Sequence, residues 1–259
     1  MKRSKPDVSP PRESLARVIA EWSSAIAIYL FVSASLVQGN VIPTGSMEPT
    51  LLVGDHVLVD RSLYARADGV IDQLLPHRDV RRGDVIVFRY PLDENELYVK
   101  RAAAGPGDRL RIVDGRLFVN GAPAEEPYKI HRYPSADPYA WNFPPTDPAQ
   151  ARLERGRRML ELHVQDGDLI VPADSWFALG DNRDNSEDSR YWGFVPRENI
   201  VGTPAFVYWS YDASTDQLLD RLSIRHLADL GLHFFSRTRW ERTFARVRSV
   251  PQDAAAFSP

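Results

Sequence analysis

Hydrophobic and polar positions fall into three regimes along the chain. The first is a run without any charged residue from Trp22 to Met47, overlapped by the apolar stretch Val18 to Val37. Those 20 residues would measure about 30 Å as a helix, enough to cross a bilayer core. Three readings compete for it: a buried amphipathic helix, a signal peptide cleaved after the small-x-small run Ser33-Ala34-Ser35, and a retained signal-anchor. The long polar stretch ahead of it and its spanning length favour an anchor over residues 18–38. Glu21 would then lie near one interface, where a charge costs less than at the centre. Lys2, Arg3, Lys5, Arg12 and Arg17 precede the stretch, and the next basic residue is Arg61. Positive-inside bias places the tail 1–17 in the cytoplasm and the rest outside. Residues 1–11 are polar and proline-containing and predict disorder.

The second regime starts at residue 51 and reads mainly as strands. LLVGDHVLVD, DVIVFRYP, ELYVKRAAA, DRLRIVDGRLFVNG and DGDLIVPADSWFALGD are apolar, β-branched runs broken by Gly, Asp and Pro. DGRLFVNG predicts one arm of a hairpin, with Asn120-Gly121 as turn signal. Between Pro123 and Pro148 prolines and aromatics crowd together, which suits an irregular insertion better than a core element. Residues 149–163 predict a short helix that closes this insertion, taken as 123–163. The third regime has leucines at helical spacing over 216–232, followed by Arg237, Arg239, Arg242, Arg246 and Arg248 interleaved with Trp240 and Phe244. A basic-aromatic tail of this kind suits anionic lipid headgroups as well as plain solvent. The expected organisation is a tail (1–17), an anchor (18–38), a β domain (39–122 and 164–212) interrupted by the insertion, and a helix with tail (213–259).

Composition narrows the chemistry. The chain has 259 residues, 43% hydrophobic and 26% charged, which suits a packed globular domain and argues against wholesale disorder. It has no cysteine, which excludes disulfides, thiol catalysis and cysteine-ligated metals. A net charge of -3 gives no nucleic-acid footprint. Of 32 basic residues only four are lysine: Lys2, Lys5, Lys100 and Lys129. Arginine stays protonated in proteins, whereas a buried lysine can become a neutral base. Codon bias explains the arginines, and a lysine kept in the core calls for another reason.

Two residues stand out. In VIPTGSMEPTLLVGD, Pro43, Gly45 and Pro49 force a tight path with Ser46 at its centre. No G-x-S-x-G elbow surrounds it, and the six histidines show no catalytic or metal-binding spacing. The remaining activator is a lysine, and Lys100, in Leu97-Tyr98-Val99-Lys100 ahead of an Ala-rich segment, is placed to lose its proton by desolvation. The alternative for each is ordinary: a turn serine and a solvated strand lysine. Asp184-x-Ser186-x-Asp188 mimics the start of a calcium loop, then departs from it at Ser189 and Val195. Neither a metal nor a cofactor is expected.

PTGSMEPTL, GDVIVFRYP, YVKRAAAGPGD and GDNRDNSEDSRYWGFVP, in this order, resemble the bacterial type I signal peptidases (leader peptidases), from the anchor to about Asp212. The resemblance implies an antiparallel β catalytic domain held at the bacterial inner (cytoplasmic) membrane, facing outward. It implies a serine endopeptidase that removes signal peptides from exported preproteins after small-x-small motifs. Ser46 would be the nucleophile and Lys100 the general base. Thr44 and the Ser46 N–H would form the oxyanion hole, with threonine where many members carry serine. Ser186 would hydrogen-bond and orient the lysine, and Asp181, Asp188 and Arg190 would hold that loop in place. Ile42, Pro43, Met47, Leu51, Val57, Tyr98 and Val99 would wall the substrate pockets, while Asn40 stands where many members carry a larger apolar residue. Two other readings share these motifs: a membrane-anchored accessory protein without activity, and a self-cleaving repressor-type Ser/Lys protease.

Overall fold

The computed structural model describes residues 15–64, 77–132, 138–220 and 223–249. The tail expected to be disordered lies outside these. The described chain opens on helix α1 (Leu15–Ser35), beginning inside the tail and ending short of the expected anchor boundary. The last expected anchor residues, Val37 and Gln38, instead start a strand, because they pair with Asp60 and Val59. Among the described residues no helix is long and apolar enough to cross a membrane. The described side chains of α1, the half-buried Val18 excepted, are exposed, with Leu15, Trp22 and Tyr29 at 74%, 67% and 70%. A helix buried in the core is therefore not what forms here.

From residue 37 onward the fold is mainly antiparallel β, as the apolar alternation predicts. The strands β1 (Val37–Val41), β2 (Asp55–Asp60), β3 (Val85–Tyr90) and β4 (Asp93–Ala104) come first. A second group, β5 (Arg109–Val113), β6 (Arg116–Val119), β7 (Ala122–Pro123), β8 (Val164–Gln165) and β9 (Asp168–Ile170), flanks the insertion. The chain then returns through β10 (Ser175–Leu179), β11 (Val195–Pro196), β12 (Ile200–Ser210) and β13 (Ala245–Arg246). The larger sheet runs β1-β2-β12-β3-β4-β10-β11, with β13 added to β12, and the smaller runs β7-β6-β5-β9-β8. The expected Asn120-Gly121 turn joins β6 to β7, both residues at positive φ.

Segment 123–163 is irregular, as its prolines predict, but it is not peripheral. Tyr139, Phe143, Met159 and Leu160 enter the main core cluster beside Leu110, Phe177 and Trp192. Its helix α2 (Glu154–His163) occupies the C-terminal part of the expected span. The short helix α3 (Ser189–Trp192) follows the polar loop 180–188. The leucine-spaced C-terminal segment forms two helices, α4 (Thr215–Leu219) and α5 (Ile224–Arg237), each started by a serine cap, Ser214 and Ser223. Three of the five tail arginines are used internally. Arg237 pairs with Asp229, Arg239 with Asp212, and Arg242 with the buried Asp55. That leaves Arg246 and Arg248 exposed beside Trp240 and Phe244, a smaller basic face than the sequence predicts.

Candidate active site

Ser46 sits in a single 3-10 turn, Gly45–Met47, entered through an extended Thr44 (φ -129°, ψ 153°). Met47 and Leu51 are fully buried and linked by a 2.9 Å Leu51 N–H to Met47 carbonyl bond, which roots the turn in the core. Lys100 lies on β4, where the strand passes from its exposed half (residues 93–97) into the core (residues 100–104). The apolar run Ala102–Ala104 carries β4 inward, and Lys100 is the first side chain it submerges. Nζ comes within 2.9 Å of Ser46 Oγ, and also donates to the Val99 carbonyl at 3.1 Å. Both residues are buried, at 7% and 5% exposure.

Burial lowers the Lys100 ammonium to about 8, the Arg190 charge adding to this against the opposing carboxylates of Asp188, Asp181 and Glu187. A lysine amine so placed is neutral in a useful fraction near neutral pH and can accept the proton of a hydroxyl at hydrogen-bond distance. Thr44 is exposed and its hydroxyl caps no backbone group of the turn, so it is open to a bound carbonyl oxygen.

The loop 180–188 closes over the turn. The Asn182 N–H donates to the Ser46 carbonyl at 3.1 Å and its Nδ2 to the Gly45 carbonyl at 3.2 Å. Asp181 receives the Arg101 guanidinium in two bonds of 2.7 and 2.6 Å, tying this loop to the residue after the lysine. Asp188 caps α3, accepts the Gly180 N–H at 3.0 Å, and pairs with Arg190 at 2.8 and 2.9 Å. Burial alone would push the Asp188 carboxyl up, but the Arg190 guanidinium and these bonds hold it below the usual carboxylate range.

Ser186 departs from the expectation. The resemblance implies that it hydrogen-bonds Lys100, yet its buried Oγ has no hydrogen-bond partner. The side chain packs over Gly180 and leans toward Asp188, adding a small share to that carboxylate's stability without reaching hydrogen-bond geometry. A Cβ on Gly180 would lie 2.2 Å from Ser186 Oγ and 2.6 Å from the Ser46 carbonyl oxygen, so this position has room only for glycine.

A groove of about 250 Å³ runs beside the dyad. Ile42, Pro43, Val57, Tyr98 and Val99 line it, together with Asn40, Val41, Val59, Val87 and Leu97. Met47 and Leu51 do not: they belong to the packed cluster with Ile42, Val57 and Val85. The groove has an unpaired edge on each wall. Among the described residues β1 is bonded on one side only, to β2, and β10 pairs with β4 no further than Arg101. Asn182, Arg101 and Gly180 were legible only as letters within motifs, and Glu126, which pairs with Arg183 beneath the loop, carried no signal at all.

A profile of the family described as signal peptidase, peptidase S26, matches residues 15–209. Signal peptidase I of Pseudomonas fluorescens is 42% identical over 197 residues, covering 70% of this chain and 68% of that one. The Pseudomonas aeruginosa protein of the same name is 40% identical over 200 residues, with the same shares covered. Signal peptidase I of Aquifex aeolicus is 31% identical over 228 residues, covering 76% and 85%. The matched span takes in the Ser46 turn, the Lys100 strand and the loop that closes over them, and the chain belongs to the signal peptidase family, peptidase S26.

Proposed function

We propose that this enzyme removes signal peptides from exported preproteins by acyl transfer through Ser46 and Lys100. The 2.9 Å contact between Ser46 Oγ and a buried, desolvated lysine amine carries this reading. Neutral Lys100 takes the Ser46 proton as Oγ attacks the scissile carbonyl. The Ser46 N–H and the Thr44 hydroxyl stabilise the oxyanion, each well-placed donor contributing about 3 kcal/mol. Protonated Lys100 then gives its proton to the leaving amine, and water repeats the sequence to release the acyl group. Asp181, Asp188, Arg190 and Ser186 support the loop that seats the turn.

The substrate lies extended between β1 and β4, using their free edges for backbone hydrogen bonds. Alternate side chains point the same way, so small residues at the first and third places before the cut face the apolar walls at Ile42, Pro43, Val57, Tyr98 and Val99. Met47 and Leu51 act from below by fixing the floor. The site faces the outer surface of the cytoplasmic membrane, where a signal peptide's apolar helix delivers its cleavage point. Helix α1 attaches the enzyme there: exposed Leu15, Ile19, Trp22, Ile26 and Tyr29 are not buried by the described chain. Its exposed apolar side chains support contact with the bilayer.

The test is processing of a model preprotein in vitro by wild type, Ser46→Ala and Lys100→Arg. Wild type is expected to cut after a small-x-small motif and both variants to be inactive while folded. Substantial cleavage by folded Lys100→Arg would sink the dyad, because a guanidinium cannot serve as the base. A catalytically silent accessory role instead predicts no cleavage by wild type and no acylation of Ser46.

A further inference from the structure

Segment 126–130 contacts the supports of both Ser46 and Lys100, through two separate sets of contacts. Toward the serine, Glu126 makes a forked ion pair with Arg183, the two side chains being 2% and 1% exposed. Alongside, the Ile130 N–H donates to the Asp181 carbonyl at 2.9 Å and the Arg183 N–H to the Ile130 carbonyl at 3.1 Å. The Arg183 Nε also donates to the Gly180 carbonyl at 3.1 Å. The next residue along, Asn182, holds the Gly45 and Ser46 carbonyls. Toward the lysine, the Arg101 guanidinium lies over the Tyr128 ring, 3.6 Å from its centroid, and forks to Asp181 through Nε and Nη2.

A buried ion pair is a poor source of net stability, since desolvating both charges offsets most of their attraction. What this pair does supply is direction: it fixes one register between segment 126–130 and the loop. We propose that Glu126 is a positioning residue for the reaction, setting the Ser46–Lys100 geometry by holding Arg183, and with it the 180–183 backbone, against the nucleophile turn. This rests on the assignment of Ser46 and Lys100 above. It gives part of the proline-rich insertion a task in the chemistry, although no atom of Glu126 reaches the reacting groups.

The experiment measures preprotein cleavage against pH for wild type, Glu126→Gln and Glu126→Asp, with Ser46→Ala and Arg111→Gln as controls. Arg111 pairs with Asp168 on the smaller sheet and leaves the dyad alone. Glu126→Gln keeps the shape and loses the charge. A displacement of the turn by about 1 Å costs on the order of a hundredfold, so kcat is expected to fall about that much. KM should stay within about twofold, because the groove between β1 and β4 is untouched. The acid limb of kcat should also move to higher pH, as a looser loop admits water to Lys100. Glu126→Asp, which retains the charge, is expected to recover most of kcat and return the limb toward its wild-type place.

Unchanged kcat and an unmoved limb in folded Glu126→Gln would overturn the proposal. So would a uniform loss of active protein at constant pH profile, which is what a purely structural role predicts. If Glu126→Gln does not fold, Arg183→Lys decides: it keeps a charge but loses the forked pair, and wild-type kcat and limb in it also overturn the proposal. Activity in Ser46→Ala would instead indict the dyad, so the two failures are distinguishable.

Discussion

Lys100 is held in a state that costs the fold and suits the base of the proposed reaction. Its conjugate acid is lowered to about 8 by burial, so the neutral base grows as pH rises through that value. Cleavage measured as kcat/KM is expected to climb about tenfold per pH unit below 8 and to level off above it. A pH-independent rate between 6 and 9 would contradict this. The same shift has a stability consequence with the pH slope of a paired carboxylate, although here the charged form is penalised rather than favoured. Between the folded value near 8 and the unfolded value of 10.5 the unfolded chain binds more protons, so stability rises with pH across that window. Below 8 the full penalty applies, about 3 kcal/mol at one pH unit per 1.36 kcal/mol. Lys100→Met is therefore expected to abolish cleavage and raise Tm at pH 7, the gain shrinking as pH approaches 10.5. A lower Tm at pH 7 would show that the amine is not a net burden. Gly180 is the second residue with a sharp requirement. Gly180→Ala puts a methyl against Ser186 and the Ser46 carbonyl, and kcat is expected to drop at least about tenfold with KM nearly unchanged, as a displaced turn requires.

At the scale of elements, β4 and the loop 180–188 are joined by the Arg101–Asp181 fork, whose partners are 2% and 0% exposed. Asp181→Asn leaves a buried guanidinium without its counter-charge, and loss of about 3–5 kcal/mol is expected, read as a lower denaturant midpoint at constant m. A change under 1 kcal/mol would mean that Tyr128 and the Gly83 carbonyl already satisfy Arg101. The strands were legible because β-branched runs alternate with Gly, Asp and Pro breaks, as in VIVFRY and RLRIV. The insertion was legible as irregular but not as core: Tyr139 and Phe143 sit among prolines that hide any period, and only the fold brings them to Phe177. The C-terminal leucines predicted one helix, whereas two caps, Ser214 and Ser223, divide it.

Over the whole molecule, the exposed helix α1 leads directly into β1, which lines the groove, so the proposed attachment adjoins the candidate site along the chain. The exposed apolar side chains of α1 predict partition onto vesicles. Ile19→Asp/Ile26→Asp is expected to weaken flotation with phosphatidylglycerol-containing vesicles at least about tenfold while cleavage of a soluble peptide persists. Equal flotation of the variant and wild type would move the attachment elsewhere, to the face around Trp240, Phe244 and Arg248 for instance. Internal pairing of Arg237, Arg239 and Arg242 limits how much that face contributes by charge.

The sequence alone determined the class of the chain and singled out the two residues proposed for the chemistry, because such motifs are local: Ser46 in its Pro- and Gly-bent turn, and the one lysine placed ahead of an apolar strand run. It also determined that the body is β, since alternation is a short-range signal. The 54-residue gap between serine and lysine closes only in the folded sheet, which decides that Nζ is 2.9 Å from Oγ. Tertiary packing likewise moved Met47 and Leu51 from the groove wall into the core, left Ser186 without the lysine as partner, and brought Glu126 beneath the loop. Each of these depends on distances between segments far apart in the chain, and depth of burial, register and desolvation are properties of those distances.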